Sequence, residues 1–508
     1  DDDDEVRANA VASLARSGAP DALASIALRS ADPSALVRRA AVDALAEMAM
    51  PTEAGGHLVG PLLHDPDPVV SARAAGMFAR AARDPAAVSV LARLARHADA
   101  GVRAAAVRSM RGVDEPRLSE VVRAAATDPA APVRAAAAHA APSVDPADAL
   151  DVLVEALADD HPAVRRAAVD GLAELGAPAL DPVLAALEIP ARRAGAVLAL
   201  ERLPIGGHDD AIRRFVRDRV AAAVERHRLA AAIDASDGSM GLLRDSLVHR
   251  AHEDALVALR ASALVGRRTS IDVALEHLTA RDPGQRANAL EVIESVADRH
   301  LVRPLLELWE PSPGRPATVG DLMARLARDP DGWIRACAEL ASMHAATLAP
   351  THDRGGTMPT TLPTLSTMER VLFLRKVPLF AGLPPPDLQP IAAIAREETF
   401  DDGDVLAEQG DVGYDMYVVV DGRVAVVARD RDGDRTLAVR TSGEVVGEMA
   451  VITFEPRMAA LVAVGPVRAL TLSRAQFEAI LRERPETSLG VIRVLCQRLA
   501  AAGGSPDG

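Results

Sequence analysis

The strings "DDEVRANAVASL", "SALVRRAAVDAL", "DPVVSARAAGMF", "DAGVRAAAVRSM", "AAPVRAAAAHAA" and "HPAVRRAAVDGL" follow one another along the first third of the chain. Their anchoring valines, Val6, Val37, Val70, Val102, Val133 and Val164, recur at intervals of a little over thirty residues. A period of that length constrains the fold more than any other feature. A unit so short cannot bury its apolar face alone, so neighbours must stack and share one core. The expected result is a helical solenoid.

Within a unit, Val164, Ala168 and Leu172 recur at i, i+4 and i+8, which predicts one buried stripe on a helix. Asp159 or Asp160 is placed to cap that helix, and Pro162 in the first turn loses no intrahelical hydrogen bond. The pattern weakens between Glu201 and Arg281 and returns in "DPGQRANALEVI" and "DPDGWIRACAEL". Trp309 and Trp333 stand near the end of the array, where larger side chains are expected to close the last face. The string "RRAAV" occurs twice, at Arg38–Val42 and Arg165–Val169, at the same place in the repeat. It therefore reads as helix core and not as a kinase pseudosubstrate. The "RRTS" at Arg267–Ser270 carries no more weight.

Composition agrees with small-residue helices, since 49% of the chain is hydrophobic but only 2% aromatic. With 508 residues, more than one domain is expected, because single cores stop growing at about 250 to 300 residues. The net charge of −15 disfavours nucleic acid as a partner. Lys376 is the only lysine, the kind of arginine bias a GC-rich bacterial genome produces. Cys337 and Cys496 lie far apart with no ligand cluster, which predicts two buried thiols in a reducing cytoplasm. No apolar run is long enough to cross a membrane and no signal peptide opens the chain. The chain starts inside a repeat without methionine, so an upstream extension is expected. His64, His97, His139 and His161 are scattered, and solvated or capping roles are expected of them. There is no P-loop and no recognisable nucleophile setting, so no catalytic or metal residue is assigned and the chain reads as a non-enzyme.

From Ala349 the text turns to "APTHDRGGTMPTTLPTLST", which reads as a flexible linker over residues 349–365. Two helical segments follow, "MERVLFLRKVPLF" and "PPDLQPIAAIAREETF", and then the period changes to two. Asp421-Gly422 and Asp432-Gly433 interrupt β-branched runs and predict tight hairpins. Short strands at close spacing fit an antiparallel barrel or jelly roll. A Ser-Arg-Ala-Gln capping box is expected to open a helix at Ser473, and another helix to run from Pro485 to about Ala502.

The first-half repeats resemble HEAT repeats, with their inter-helix Asp-Pro followed by Val-Arg. The stretches "FDDGDVLAEQGDVGYDMYVVVDGRVAVV", "TSGEVVGEMAVITFEPRMAALVAV" and "LSRAQFEAILRERP" are similar to landmarks of the cyclic nucleotide-binding domain family, over roughly Ser366 to Ala502. That family includes catabolite activator proteins, regulatory subunits of cAMP-dependent kinase, and cyclic nucleotide-gated channels. The expected architecture is an all-α HEAT-type superhelical solenoid over residues 1–348, the linker, an α+β domain with a β jelly-roll barrel and flanking helices over 366–503, and a disordered tail over 504–508.

The resemblance implies a ligand, and "GEMAVITFEPRM" holds a chemical match for it. Gly447 lets backbone approach a phosphodiester. The N–H groups of Glu448, Met449 and Ala450 can cradle it if they open a short helix, and Arg457 can bond its oxygens with a fixed fork. Pro456 is expected to end that helix. Glu448 inherits contact with the ribose 2′-hydroxyl from the matching family position. Met458 departs from the family's small or hydroxylated residue; its bulk is expected to crowd the phosphate, and its lack of a hydroxyl tilts the expectation to cAMP over cGMP. At the base end only Gln497 and Arg498 are polar, and both read as an exposed helix face. The leading expectation is a cytoplasmic cyclic nucleotide sensor whose solenoid holds a protein partner. The alternatives are the soluble regulatory region of a larger, nucleotide-translocase-like membrane transporter, and a degenerate domain in which Glu448 and Arg457 merely pair. A transcription factor would need a helix-turn-helix after the terminal helix, where only Gly503–Gly508 remain.

Overall fold

The computed structural model describes residues 3–17, 22–48, 60–234, 238–265, 272–278, 283–296, 303–308, 319–348, 364–430, 433–453, 455–485, 487–493 and 496. Structural statements concern these residues, and most of the expected linker, Trp309, Gln497, Arg498 and the expected tail lie outside them. The chain divides into two compact units, Asp1–Ala211 and Ile212–Gly508.

In the first unit, α1 (Asp4–Ser17), α2 (Ala35–Glu47), α3 (Pro68–Ala82), α4 (Ala100–Arg108), α5 (Ala131–Ala140) and α6 (Pro162–Leu175) pack each on the next. A second row of shorter helices, among them Pro85–Leu94, Arg117–Ala125 and Pro146–Ala156, backs this layer. Five of the six anchoring valines, from Val37 to Val164, are buried, whereas Val6 in the first helix is 47% exposed. Close packing is possible because the seam carries small residues. A Cβ at Gly76 would stand 2.4 Å from the Ser109 carbonyl oxygen of the next helix.

Successive repeats are tied by charge as well as by apolar burial. Arg7 pairs with Asp32, Arg38 with Asp65, Arg103 with Asp128 and Arg134 with Asp159, at N···O distances of 3.2, 2.8, 2.8 and 2.6 Å. This employs the arginine of both "RRAAV"-type strings in structure: Arg38 reaches Asp65, and Arg165 donates to the Asp159 and Asp160 carbonyls. Helix caps come from Asp67, Asp84, Asp99 and Asp145. At α6 the expectation of an aspartate cap fails. His161 is the N-cap, accepting from Ala163 N–H, while Asp159 is engaged by Arg134 and by His161 N–H.

The second unit begins with long helices and ends in the β domain. Its helices α7 (Gly238–Val265) and α8 (Gly332–Leu348) pack together and also against α9 (Thr367–Leu374), and α7 further touches α10 (Pro385–Ile394). One apolar core runs through all four, from Leu242, Leu247, Ile334 and Cys337 to Val371, Leu374, Phe380 and Phe477. Trp333 lies inside this core, 7% exposed, with its indole N–H donating to Ser246 Oγ at 2.9 Å. It therefore fills an interior instead of closing an exposed end. Cys337 is buried with it, but Cys496 is exposed, contrary to the expectation of two buried thiols.

Eight strands form two four-stranded antiparallel sheets: β1 (Arg396–Phe400), β2 (Val405–Ala407), β3 (Asp415–Asp421), β4 (Arg423–Asp430), β5 (Gly433–Thr441), β6 (Val445–Val446), β7 (Ala460–Ala463) and β8 (Val467–Ser473). Their orders are β1-β8-β3-β6 and β2-β7-β4-β5. The chain therefore has the expected helical HEAT region followed by an antiparallel β-sandwich with flanking helices. The hairpin expectation divides in two. β4 and β5 pair, closing with Asp430 opposite Gly433, but Asp421-Gly422 joins strands in different sheets. Gly422, with φ +90°, makes a corner there, and a Cβ would stand 2.3 Å from the Pro466 carbonyl oxygen. The positive φ that Asp-Gly favours is present at Gly422, but it serves a sheet-to-sheet crossing.

At the start of the β domain a capping box forms at Ser366 and Glu369. The box expected at Ser473 does not form, because Ser473 Oγ donates to Gln476 Oε1 at 2.8 Å instead of accepting from the helix. Leu365, expected in the linker, donates its N–H to Glu397 at 2.8 Å and packs on the core. Beyond α12 (Arg474–Glu483), residues 487–493 are helical, and the expected end near Ala502 lies outside the described residues.

Candidate functional site

An open cavity of about 180 Å³ lies against β4 to β7, and Gly447, Glu448, Met449, Ala450, Arg457 and Met458 all line it. They meet because the chain leaves β6, turns at Gly447 and enters α11 (Glu448–Thr453), then returns beside the same opening before β7. The helix ends at Thr453, ahead of Pro456, whose role is to bridge to Val412. Arg457 is held at both ends of its peptide unit. Its N–H donates to the Asp411 carbonyl at 2.9 Å, and its carbonyl accepts from Gly410 N–H at 2.8 Å.

The Arg457 side chain is 7% exposed. Nη2 donates to the Asp415 carbonyl oxygen at 2.5 Å, while Nη1 is buried with no hydrogen-bond partner. No ion pair joins Arg457 to Glu448, nor to any other carboxylate among the described residues. The nearby Asp415 carboxyl pairs with Arg396 at 3.6 Å and lies above its usual range, chiefly because of burial. A buried cation held by one carbonyl is a costly arrangement, since desolvation of a charge is offset only by an opposing charge or a full set of acceptors. Its chemistry fits an anion with at least two accepting oxygens.

Gly447 makes room for that guanidinium. A Cβ there would stand 2.4 Å from Nη1, and the residue's φ of +79° disfavours any side chain. Glu448 is half-buried at the helix start and Ala450 is buried, while Met449 is 55% exposed. Met458 is 66% exposed at the rim, so its bulk is turned largely to solvent and does not fill the pocket.

Sequence reasoning missed the opposite wall, formed by Val426, Leu437, Val446 and Leu461, with Arg440 beside it. Val426, Val446 and Leu461 belong to alternating strand patterns whose inward face is not assigned by period alone. Leu437 is the extra residue of a β-bulge, as Val426 opposes Ala438 while Val427 opposes Thr436. Bulges re-aim side chains, which explains a 51% exposed leucine at the cavity edge.

Comparison with known proteins agrees with this geometry. Residues 397–484 match the cyclic nucleotide-binding domain family, and residues 57–142 and 122–201 match HEAT repeats. The chain carries HEAT repeats and a cyclic nucleotide-binding domain. The cyclic AMP receptor protein of Thermus thermophilus is 32% identical over 25% of this chain and 58% of its own length. The cAMP-dependent protein kinase regulatory subunit of Blastocladiella emersonii is 32% identical over 22% of this chain and 27% of its own. The chain thus spans little more than half of the first relative and about a quarter of the second. Among solved structures, the N-terminal domain of a transcriptional regulator from Streptomyces coelicolor is 33% identical, covering 27% of this chain and 99% of that one with a TM-score of 0.25. The cyclic nucleotide-binding domain implies a ligand-sensing regulatory role. No helix among the described residues is long and apolar enough to cross a membrane.

Proposed function

We propose that the chain is a non-catalytic sensor that binds a cyclic nucleotide, cAMP in preference to cGMP, while its HEAT solenoid holds a protein partner. The observation that carries this reading is the buried Arg457 Nη1, which has no acceptor and faces the cradle at Gly447. A cyclic phosphodiester supplies one negative charge and two oxygens at that point. A degenerate site stabilised by a Glu448–Arg457 pair is disfavoured because the two make no ion pair, leaving Glu448 available to accept from a ribose hydroxyl. The preference for cAMP rests on Met458, which offers no hydroxyl to a guanine.

The shared core supplies an output. Phe380, which follows α9, and Phe477 of α12 meet edge to face with centroids 6.3 Å apart, and both belong to the core that contains Trp333 and Ile334. Arg375 pairs with Asp245 of α7. A ligand that favours one packing of α9 and α12 by differential affinity therefore biases α7 and α8 directly, with no need for the linker to carry the signal.

Calorimetric titration of the full chain with cAMP and cGMP tests the reading, with Arg457→Ala as the paired variant. Loss of the buried charge contact is expected to cost roughly 2 to 5 kcal/mol, or at least about thirtyfold in affinity. Absence of binding by the wild type, or equal affinity in the variant, would overturn it.

A further inference from the structure

The exposed side of the solenoid layer formed by α2 to α6 carries charges that the repeat itself does not require. Arg39 of α2, Arg73 and Arg80 of α3, and Arg108 at the end of α4 lie on this side with Arg111 and His139. Several have partners: Arg39 pairs with Asp67, Arg73 with Asp43, and Arg111 with Glu174. Others have no carboxylate. Arg80 crosses to the end of the next helix, donating to the Ser109 and Arg111 carbonyls at 3.0 and 3.1 Å. Arg111 repeats that reach one step along, donating to the His139 carbonyl at 2.6 Å. These contacts suit cations at helix C-termini, but carbonyls alone leave the charge of Arg80 uncompensated. The Arg108 side chain is exposed and has no hydrogen bond or ion pair among the described residues.

The result is a row in which two arginines without a carboxylate, Arg80 and Arg108, are set among paired ones, within a protein of net charge −15. Arg73 is held below the usual arginine range by burial and by the nearby charges of Arg39 and Arg108. His139 is lowered by burial, Arg111 and Arg108. Arg73 thus lies within electrostatic reach of arginines on the helices before and after it. Asp43 stands at one end of the row, and Asp170 with Glu174 at the other.

We propose that this row is a docking surface for an acidic peptide segment of a partner protein, with carboxylates meeting Arg80 and Arg108. The proposal rests on the scaffold reading of the solenoid and is independent of the nucleotide cup. Two features select a peptide over nucleic acid. The carboxylates that bound the row oppose a continuous phosphate backbone, whereas a short segment can place its acids only where the arginines are. Spacing agrees as well: packed helices lie about 8–10 Å apart, and in a polyproline II segment, with three residues per turn and a rise of about 3.1 Å, every third side chain returns to the same face about 9 Å further on.

Fluorescence anisotropy on the full chain provides the test. The probes are a labelled peptide with glutamate at every third position in a serine–glycine background, its lysine counterpart, and a labelled single-stranded DNA of random sequence. The glutamate peptide should bind, weaken with added salt, and lose about tenfold or more in affinity in Arg80→Glu/Arg108→Glu. The milder Arg108→Ala should lose part of that while its unfolding temperature stays unchanged. DNA binding equal to or tighter than the peptide, no peptide binding, or equal affinity in both variants would overturn the surface. If the peptide fails while wild type and double variant still co-purify with the same protein, the surface alone falls. If neither captures anything, the scaffold reading falls with it.

Discussion

Arg457 occupies the space that a side chain at Gly447 would need: a Cβ on that glycine would stand 2.4 Å from the guanidinium Nη1. The two residues are ten apart in sequence and are joined by α11, so the glycine both turns the chain and admits the cation. Gly447→Ala must displace the guanidinium and also adopt a φ of +79° that costs an alanine about 1–2 kcal/mol. Nucleotide affinity should fall by about tenfold or more, while far-UV circular dichroism stays that of the wild type. Unchanged affinity would mean that Arg457 does not hold the phosphate.

Coupling through the shared core should be visible in amide exchange. Addition of cAMP is expected to change protection at Met368–Phe380 and Arg474–Arg484, and further at Trp333–Ala341, which belongs to the same core. Protection confined to Gly447–Met458 would describe a domain that binds without transmitting.

Glu397 ties the entry of the β domain to its last strand, accepting from Leu365 N–H at 2.8 Å and pairing with Arg468. Burial pushes its carboxyl up, but the bond from Arg468 and the Leu365 N–H outweigh this and hold it below its ordinary 4.5. A lowered carboxyl stabilises the fold fully above the unfolded-state value, and that contribution fades as pH falls through the folded-state value. Glu397→Gln should therefore cost about 2 kcal/mol near neutral pH and progressively less in acid. Denaturant melts of both proteins across that range check it, and a penalty independent of pH would contradict the assignment.

Gly76→Ala should loosen the solenoid. The new methyl meets the Ser109 carbonyl oxygen, an atom of backbone that cannot swing aside. Overpacking of this kind costs about 1–3 kcal/mol, read as a lowered midpoint in thermal or urea unfolding. An unchanged midpoint would show that α3 and α4 separate freely.

The two thiols should differ in reactivity. Cys337 is fully buried and burial pushes its thiol up to about 12, whereas Cys496 is exposed. A native-state titration with Ellman's reagent should find one reactive thiol and a denatured sample two. Two fast thiols in the native protein would place Cys337 in an open region.

Periodicity alone determined the helical first half, because a repeat that cannot bury its own apolar face must stack, and the valines from Val37 to Val164 mark the buried stripe. The glycine, glutamate and arginine of "GEMAVITFEPRM" were likewise legible, since phosphate chemistry demands those residue types at close spacing. Tertiary structure decided what local pattern cannot encode. Asp421-Gly422 predicts a positive φ, but whether the next strand pairs with its predecessor or crosses to the other sheet depends on the remaining strands. Leu437 reaches the cavity only because a bulge in the β4–β5 register turns it there. Trp333 looked like the end of an array, yet it lies within the core that α7 and α8 share with the helices flanking the barrel. Burial is a property of which surfaces meet in space, and residues distant in sequence meet only once the whole chain has folded.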